Sequence, residues 1–202
     1  MTVPTVFVVD DEDGFRGSLS RLFRSAGLAV SDFASAEEFL AAFDPDAPGC
    51  LVLDLAMPEV SGIELQRVLH EELDCEIPII FLTGHAEVPD GVAALKEGAL
   101  DFLTKPVEPD VLLGAVRLAL ERDAECRKER DVLRMLRQLY ETLTPREREV
   151  MAHVVTGQLS KQIACDLGTA EKTIRIHRGQ VMNKMQADSV ATLVRMADKL
   201  GI

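Results

Sequence analysis

Gly49-Cys50-Leu51-Val52-Leu53-Asp54-Leu55-Ala56-Met57-Pro58-Glu59-Val60-Ser61-Gly62 is the stretch from which the fold of this chain can be read. Apolar residues stand on both sides of a single acid, as in a strand buried on both faces of a parallel sheet. Met57-Pro58 stops that strand, and Ser61 is placed to cap the helix that follows. Asp54 is therefore left at the carboxyl end of the strand, where open α/β sheets carry their ligands and their chemistry.

Working outward, the same pattern recurs. Val6 to Val9 is a short β-branched run that ends in Asp10-Asp11-Glu12-Asp13, and a helix with Leu19, Leu22 and Phe23 on one face follows and closes at Gly27. Leu28 to Phe33 reads as a second strand. Ser35 with Glu38 reads as a capping box for the next helix. A helix from Ser61 to about Leu73 follows the central strand. Ile77 to Leu82 makes the fourth strand, ending at Thr83-Gly84, and a helix is expected over 88–97. Ala99 to Leu103 makes the fifth strand, running into Thr104-Lys105-Pro106. Five strands alternating with helices imply a doubly wound parallel sheet.

That topology gathers Asp10, Asp11, Asp54, Thr83 and Lys105 at one sheet edge. Three carboxylates in one crevice repel each other unless a hard divalent cation lies between them, and Mg²⁺ suits a site of few carboxylates completed by water. A lysine and a hydroxyl on the same rim supply the donors that a phosphoryl group needs.

The chain has 202 residues, 47% of them hydrophobic, with one Tyr and no Trp, enough for one large domain or two small ones. Its four cysteines, Cys50, Cys75, Cys126 and Cys165, lack metal-site spacing and read as small apolar core residues of a reducing compartment. With no apolar run of membrane-spanning length and no basic region before an apolar stretch at the start, a cytoplasmic location is expected. Charge is divided unevenly. Residues 1–120 carry 7 Lys/Arg against 22 Asp/Glu, a balance of −15, whereas 121–140 come to +1 and 141–202 to +2. An acidic metal- or phosphate-handling part joined to a mildly basic nucleic-acid part is the implied division.

From Glu108 to Leu143 the chain reads as one long helix with Gly114 as its glycine. Leu112, Val116, Ala119 and Leu120 would dock it, residues 121–131 would be solvated, and an apolar stripe resumes at Val132, Leu136, Leu139 and Leu143. Thr144, Pro145 and Glu147 then form a helix start with a capping box. Val150, Met151, Val154 and Val155 point inward, and Gly157 ends that helix. Ser160 is read as the cap of a short helix bearing Ile163, Ala164 and Leu167, closed by Gly168. Thr169 is read as starting a longer helix, Ala170 to about Met185, and a last helix spans Ser189 to Leu200. A short helix, a glycine turn and a longer helix make a helix-turn-helix, whose second helix enters the major groove. Its inward face is Ile174, Val181 and Met185. Its outward stripe is Lys172, Arg175, Ile176, Gly179 and Asn183, with Arg178 adjacent, a composition suited to phosphates and base edges.

Four signatures in order, VVDDED (8–13), LVLDLAMPEVSG (51–62), FLTG (81–84) and FLTKP (102–106), resemble the receiver domain of bacterial two-component response regulators. The resemblance implies a flavodoxin-like receiver phosphorylated on Asp54 by a partner sensor histidine kinase. It implies Mg²⁺ held by Asp11, Asp54 and the Ala56 carbonyl with Asp10 acting through water, Lys105 and Thr83 on the phosphoryl oxygens, Phe102 as a rotamer switch, and a cis Lys105-Pro106 peptide. Ala56, in place of a longer polar side chain, and His85 depart from the commonest pattern and bear on water access to the phosphoryl group. TPREREV (144–150) and EKTIRIHR (171–178) resemble the LuxR-type helix-turn-helix of the NarL/FixJ regulators, closest to the FixJ-like subgroup. That resemblance implies contacts to promoter DNA by Lys161, Lys172, Thr173, Arg175, Ile176, Arg178 and Gly179, the last lacking a side chain for a base contact. The expected organisation is a receiver at 1–120, a helical linker at 121–139 and an all-α four-helix DNA-binding domain at 140–202. The expected product is a transcription regulator, not a separate enzyme, that dimerises on phosphorylation and meets RNA polymerase if it activates.

Overall fold

The structure, a computed structural model, describes residues 3–84 and 98–202. It divides into two compact units, Met1–Cys126 and Arg127–Ile202. In the first unit, β1 (Thr5–Val9), β2 (Ala29–Phe33), β3 (Gly49–Asp54), β4 (Ile79–Thr83) and β5 (Asp101–Thr104) pair in parallel in the order β2-β1-β3-β4-β5. The order reverses between β1 and β3, and a crevice opens at that switch point, beyond the strands' carboxyl ends. Val9 lies opposite Leu53, so the residues that follow them, Asp10 and Asp54, arrive side by side.

Alternation along the strands divides the core. Phe7, Val9, Leu51, Leu53 and Phe81 face one side with Phe39 and Leu65, while Val6, Val8, Val52 and Ile80 face the other with Leu19 and Phe23. The helices on these faces are α1 (Asp13–Ser25), α2 (Ala36–Ala42) and α3 (Gly62–Arg67). α3 starts as its sequence specifies: Ser61 and Glu64 form a reciprocal capping box. Gly62 is required by proximity, since a Cβ there would lie 2.5 Å from the Asp54 carbonyl oxygen.

Several expectations shift. β4 begins at Ile79 and not Ile77, and β5 at Asp101 and not Ala99. The helix expected from Ser61 to Leu73 changes character at Val68–Glu72, which is π-helical. The capping box at Ser35 is half formed: Ser35 accepts from the Glu38 N–H, but Glu38 reaches past it to the Ala34 N–H at 2.7 Å. The helix expected over 88–97, and His85, lie outside the described residues.

α4 (Pro109–Glu141) is the long helix, with Pro109 at the first position, where a missing N–H is harmless. Leu112, Val116 and Ala119 are fully buried against the sheet. The next stretch is not simply solvated. Asp123 is buried, and its carboxylate accepts the Gly49 N–H at 3.0 Å, at the start of β3. A Cβ on Gly49 would stand 2.1 Å from the Thr5 carbonyl oxygen, so this close approach needs glycine. Burial, then the Asp123 charge, push the neighbouring Cys50 thiol up to about 12. Cys50 and Cys75 are buried core residues, but Cys126 is half-buried and Cys165 exposed, so the cysteines are not uniformly core.

The second unit contains α5 (Pro145–Val155), α6 (Ser160–Asp166), α7 (Glu171–Lys184) and α8 (Val190–Leu200). Val150, Met151, Ile163, Ile174, Val181, Met185 and Leu193 form its core, and Leu139 and Leu143 from the apolar stripe pack there. Val132, at the other end of that stripe, is exposed. Thr144 and Glu147 cap α5 reciprocally with Pro145 behind them. The next two starts differ from the reading. Ser160 is the first residue of α6, not its cap, and the Leu159 N–H is satisfied by the Gln162 side chain at 2.8 Å. Ala170, not Thr169, precedes α7, with no side-chain cap. Among the described residues, no helix is long and apolar enough to cross a membrane.

Candidate functional site

β1, β3 and the segment after β5 deliver Asp10, Asp54 and Lys105 to one point. The Lys105 ammonium donates to Asp10 Oδ2 and to Asp54 Oδ2, both at 2.8 Å, and Glu12 Oε1 lies 4.0 Å away. Each carboxylate uses its other oxygen on a backbone N–H: Asp10 Oδ1 accepts from Glu12 at 2.9 Å, Asp54 Oδ1 from Ala56 at 3.2 Å. These bonds aim the acids. Asp11 is exposed, and Asp10, Asp11 and Asp54 each offer an oxygen within 4.8 Å of the others. Among the described residues this is the one such group of metal-ligating side chains. Its donors are all hard oxygens, which fits Mg²⁺ and not a softer metal.

Burial pushes the Asp10 carboxyl above its ordinary range, against the opposing hydrogen bond from Lys105. Burial pulls the Lys105 ammonium down, but its hydrogen bonds to Asp10 and Asp54, reinforced by their charge, outweigh this and hold it above its ordinary value. The lysine is thus a fixed cation between two acids.

Thr83, buried at the end of β4, shares its backbone with the lysine: the Lys105 N–H donates to the Thr83 carbonyl at 2.7 Å. Phe102 lies on β5 beside Phe81 and packs, partly buried, against the core. Ala56 is exposed beside the site, and the Lys105-Pro106 peptide is cis. Two further residues escaped the sequence reading. The Lys105 ammonium lies 4.3 Å over the Phe15 ring, and Arg16 donates to the Asp10 carbonyl at 2.7 Å. Both come from the first turns of α1, and no spacing rule marks which of its side chains turn back to the crevice.

The second site is α7. Ile174, Val181 and Met185 are buried, whereas Lys172, Arg175, Ile176, Gly179 and Asn183 are exposed, so the outward stripe exists. Lys161 on α6 is exposed, and Thr173 and Arg178 are half-buried. Arg178 already has work within the fold, donating to the Gln158 carbonyl at 3.3 Å. Arg175 donates to Glu171, an acid that the sequence reading left aside although its spacing of four residues could have marked it. The far end of α7 is tied down by Lys184, which reaches Glu147 at 2.6 Å and the Thr142 carbonyl at 3.1 Å. The Lys184 ammonium, then the Thr144 N–H, hold the Glu147 carboxyl below its ordinary range.

Residues 6–117 match the family model of the response regulator receiver domain, and residues 141–197 match that of the bacterial regulatory proteins of the luxR family. The chain is 49% identical over 201 residues to nodulation protein W of Bradyrhizobium diazoefficiens, covering 100% of this chain and 88% of that protein. It is 45% identical over 198 residues to the transcriptional regulatory protein FixJ of Rhizobium meliloti, covering 98% and 96%. Among solved structures, the response regulator StyR matches with a TM-score of 0.88 and 45% identity over 98% of this chain and 100% of that one. Full-length FixJ from B. japonicum matches with 0.61 and 38% identity, over 100% and 98%. With a receiver sheet, its acidic crevice and a LuxR-type helix-turn-helix in one chain, this protein belongs to the NarL/FixJ family of two-component response regulators, in its FixJ-like branch.

Proposed function

We propose that Asp54 is the phosphoacceptor and that its phosphorylation drives dimerisation and promoter binding. The observation that carries this reading is the Lys105 ammonium, 2.8 Å from both Asp10 and Asp54 at the carboxyl edge of the sheet. The Asp54 carboxylate attacks the phosphorus of a sensor kinase phosphohistidine. The P–N bond breaks, the P–O bond to Asp54 forms, and the histidine leaves with the electron pair. Asp10, Asp11, Asp54 and the Ala56 carbonyl are the residues that would hold Mg²⁺, which when bound neutralises charge on the phosphoryl group. Lys105 adds a fixed cation to the phosphoryl oxygens, Thr83 donates its hydroxyl to one of them, and Phe102 follows inward. Phosphoryl gain and loss happen on the protein itself, with no separate substrate turned over.

The DNA-binding part, which we place at 140–202, carries a charge of only +2, and the same chain tethers it to a part, 1–120, of −15. One copy therefore has a weak electrostatic hold on DNA. Two linked copies make the second contact intramolecular and gain on the order of 10² to 10⁴ in avidity. Operators are then two half-sites about one helical turn, or a multiple of it, apart. Lys161, Lys172 and Arg178 serve phosphates, Arg175 and Ile176 read base edges, Thr173 borders them, and Gly179 permits close approach. Residues 121–139 link the two parts. A cytoplasmic regulator that contacts RNA polymerase when it activates completes the reading. The test is incubation with Mg²⁺ and a small phosphodonor, followed by mass spectrometry. Label is expected on Asp54 and absent from Asp54→Asn; label of wild-type extent in that variant overturns the assignment.

A further inference from the structure

Arg175 is not a free guanidinium waiting for DNA. Its Nη2 donates to Glu171 Oε1 at 2.7 Å, one turn nearer the start of α7. Both side chains are open to water, 71% exposed for Arg175 and 41% for Glu171, so the pair holds no core together and adds little to the helix. Glu171 is also the only acid between residues 171 and 184, on a helix whose outward stripe otherwise suits a polyanion. An acid on that face opposes the attraction that brings DNA to it.

We infer that Glu171 is a positioning residue that sets sequence selectivity, holding Arg175 in place and penalising attachment to phosphate alone. This rests on the reading of α7 as the recognition helix. A guanidinium has five N–H donors in a planar fork, and the bond to Glu171 engages Nη2 while leaving further donors available. The held arginine has already lost much of the rotamer freedom that a two-bond contact to guanine O6 and N7 would otherwise take from it. On an unmatched duplex no base contact forms, and phosphate attraction is the main force. There the Glu171 charge subtracts from binding without compensation. A matched site keeps the ordered arginine. Selectivity rises because the carboxylate weakens the wrong complex more than the right one.

The experiment uses the full-length phosphorylated protein, a duplex selected from a random pool, and a scrambled duplex, across a series of salt concentrations. Glu171→Gln removes the charge and keeps an acceptor for Arg175, Glu171→Ala removes both, and Arg175→Ala is run beside them. Glu171→Gln should tighten binding to the scrambled duplex by about two- to fivefold per bound copy of the chain, the size of one unit charge acting within a Debye length. Its salt slope should steepen by about 0.9 per bound copy. The ratio of matched to scrambled affinity should fall, and fall further in Glu171→Ala, with thermal stability of all three variants near wild type. If Arg175→Ala lowers the ratio while both Glu171 variants keep the wild-type ratio and slope, Glu171 merely completes the helix start and the inference fails. If Arg175→Ala also leaves the ratio alone, the recognition-helix reading itself fails. A loss confined to one base position in Glu171→Gln, with scrambled binding unchanged, would make Glu171 a direct reader of a cytosine amino group and overturn the positioning role.

Discussion

Lys105 and Arg175 are both cations held by a carboxylate at close range, 2.8 Å and 2.7 Å. Their surroundings make these different devices. The Lys105 side chain is 12% exposed and its partner Asp10 2%, whereas Arg175 is 71% exposed. Inside the crevice, water screens little, and removing one partner strands the others with their charge. On α7, water replaces any partner that is lost, so the pair matters only when something displaces that water. The crevice is therefore part of the folding balance of the first unit, while the α7 face is nearly silent until a ligand arrives.

The largest effect should come from separating the two devices by mutation. Lys105→Ala leaves Asp10 and Asp54 buried without their shared cation and should destabilise the first unit by about 3 kcal/mol. Added Mg²⁺ should recover more of that loss in the variant than it adds to wild type, because the cation takes the place of the missing charge. Arg175→Ala should move unfolding by less than about 0.5 kcal/mol, yet weaken binding to the preferred DNA site by about 1–3 kcal/mol per half-site. Urea titrations of both variants, with and without Mg²⁺, check this. Equal losses would erase the distinction.

A smaller effect concerns Gly179. It stands exposed in the middle of α7, and a Cβ there would meet nothing within 4 Å. Gly179→Ala should therefore stabilise the second unit by about 0.5–1 kcal/mol, read as a raised melting temperature. A gain in stability accompanied by weaker DNA binding would sharpen the contrast, since a face silent in folding would then be selective in docking.

The smallest effects are those of pH, and the two units differ in sign. Burial raises Asp10 above its ordinary 3.8, so the folded chain keeps that proton longer than the unfolded chain. Between 3.8 and the raised value, stability falls as pH rises. Glu147 is held below its ordinary 4.5, so its contribution is complete above 4.5 and lost as pH falls through the lower folded value. With rising pH, Asp10→Asn should gain stability relative to wild type, and Glu147→Gln should lose it. Urea midpoints of both variants, measured on each side of these windows, check the signs.

Much of this molecule was legible because its signals are local. Short apolar and β-branched runs place the strands to within about two residues, and Ser61-Glu64 and Thr144-Glu147 announce two helix starts. Local signals also misled where a competing partner won. The Glu38 carboxylate accepts from the Ala34 N–H and not from the Ser35 N–H, while Ser160 stands one residue past the position read for it because Gln162 satisfies the Leu159 N–H. Asp123 looked like one charge among many in a solvated stretch. Nothing around it in the chain says that it will be buried on the Gly49 N–H, 74 residues away.

The order of strands and helices, the gathering of Asp10, Asp11, Asp54, Thr83 and Lys105 at one sheet edge, and the outward stripe of α7 all follow from local signals in the chain. Periodicity and capping act over a few residues and need no distant partner. That Lys105 bridges Asp10 and Asp54, 95 and 51 residues away, that it lies over the Phe15 ring while Arg16 reaches the Asp10 carbonyl, and that Arg178 is drawn to Gln158 emerges only when the elements pack. These contacts depend on where separate elements come to rest against each other and on which donors burial then forces to find an acceptor.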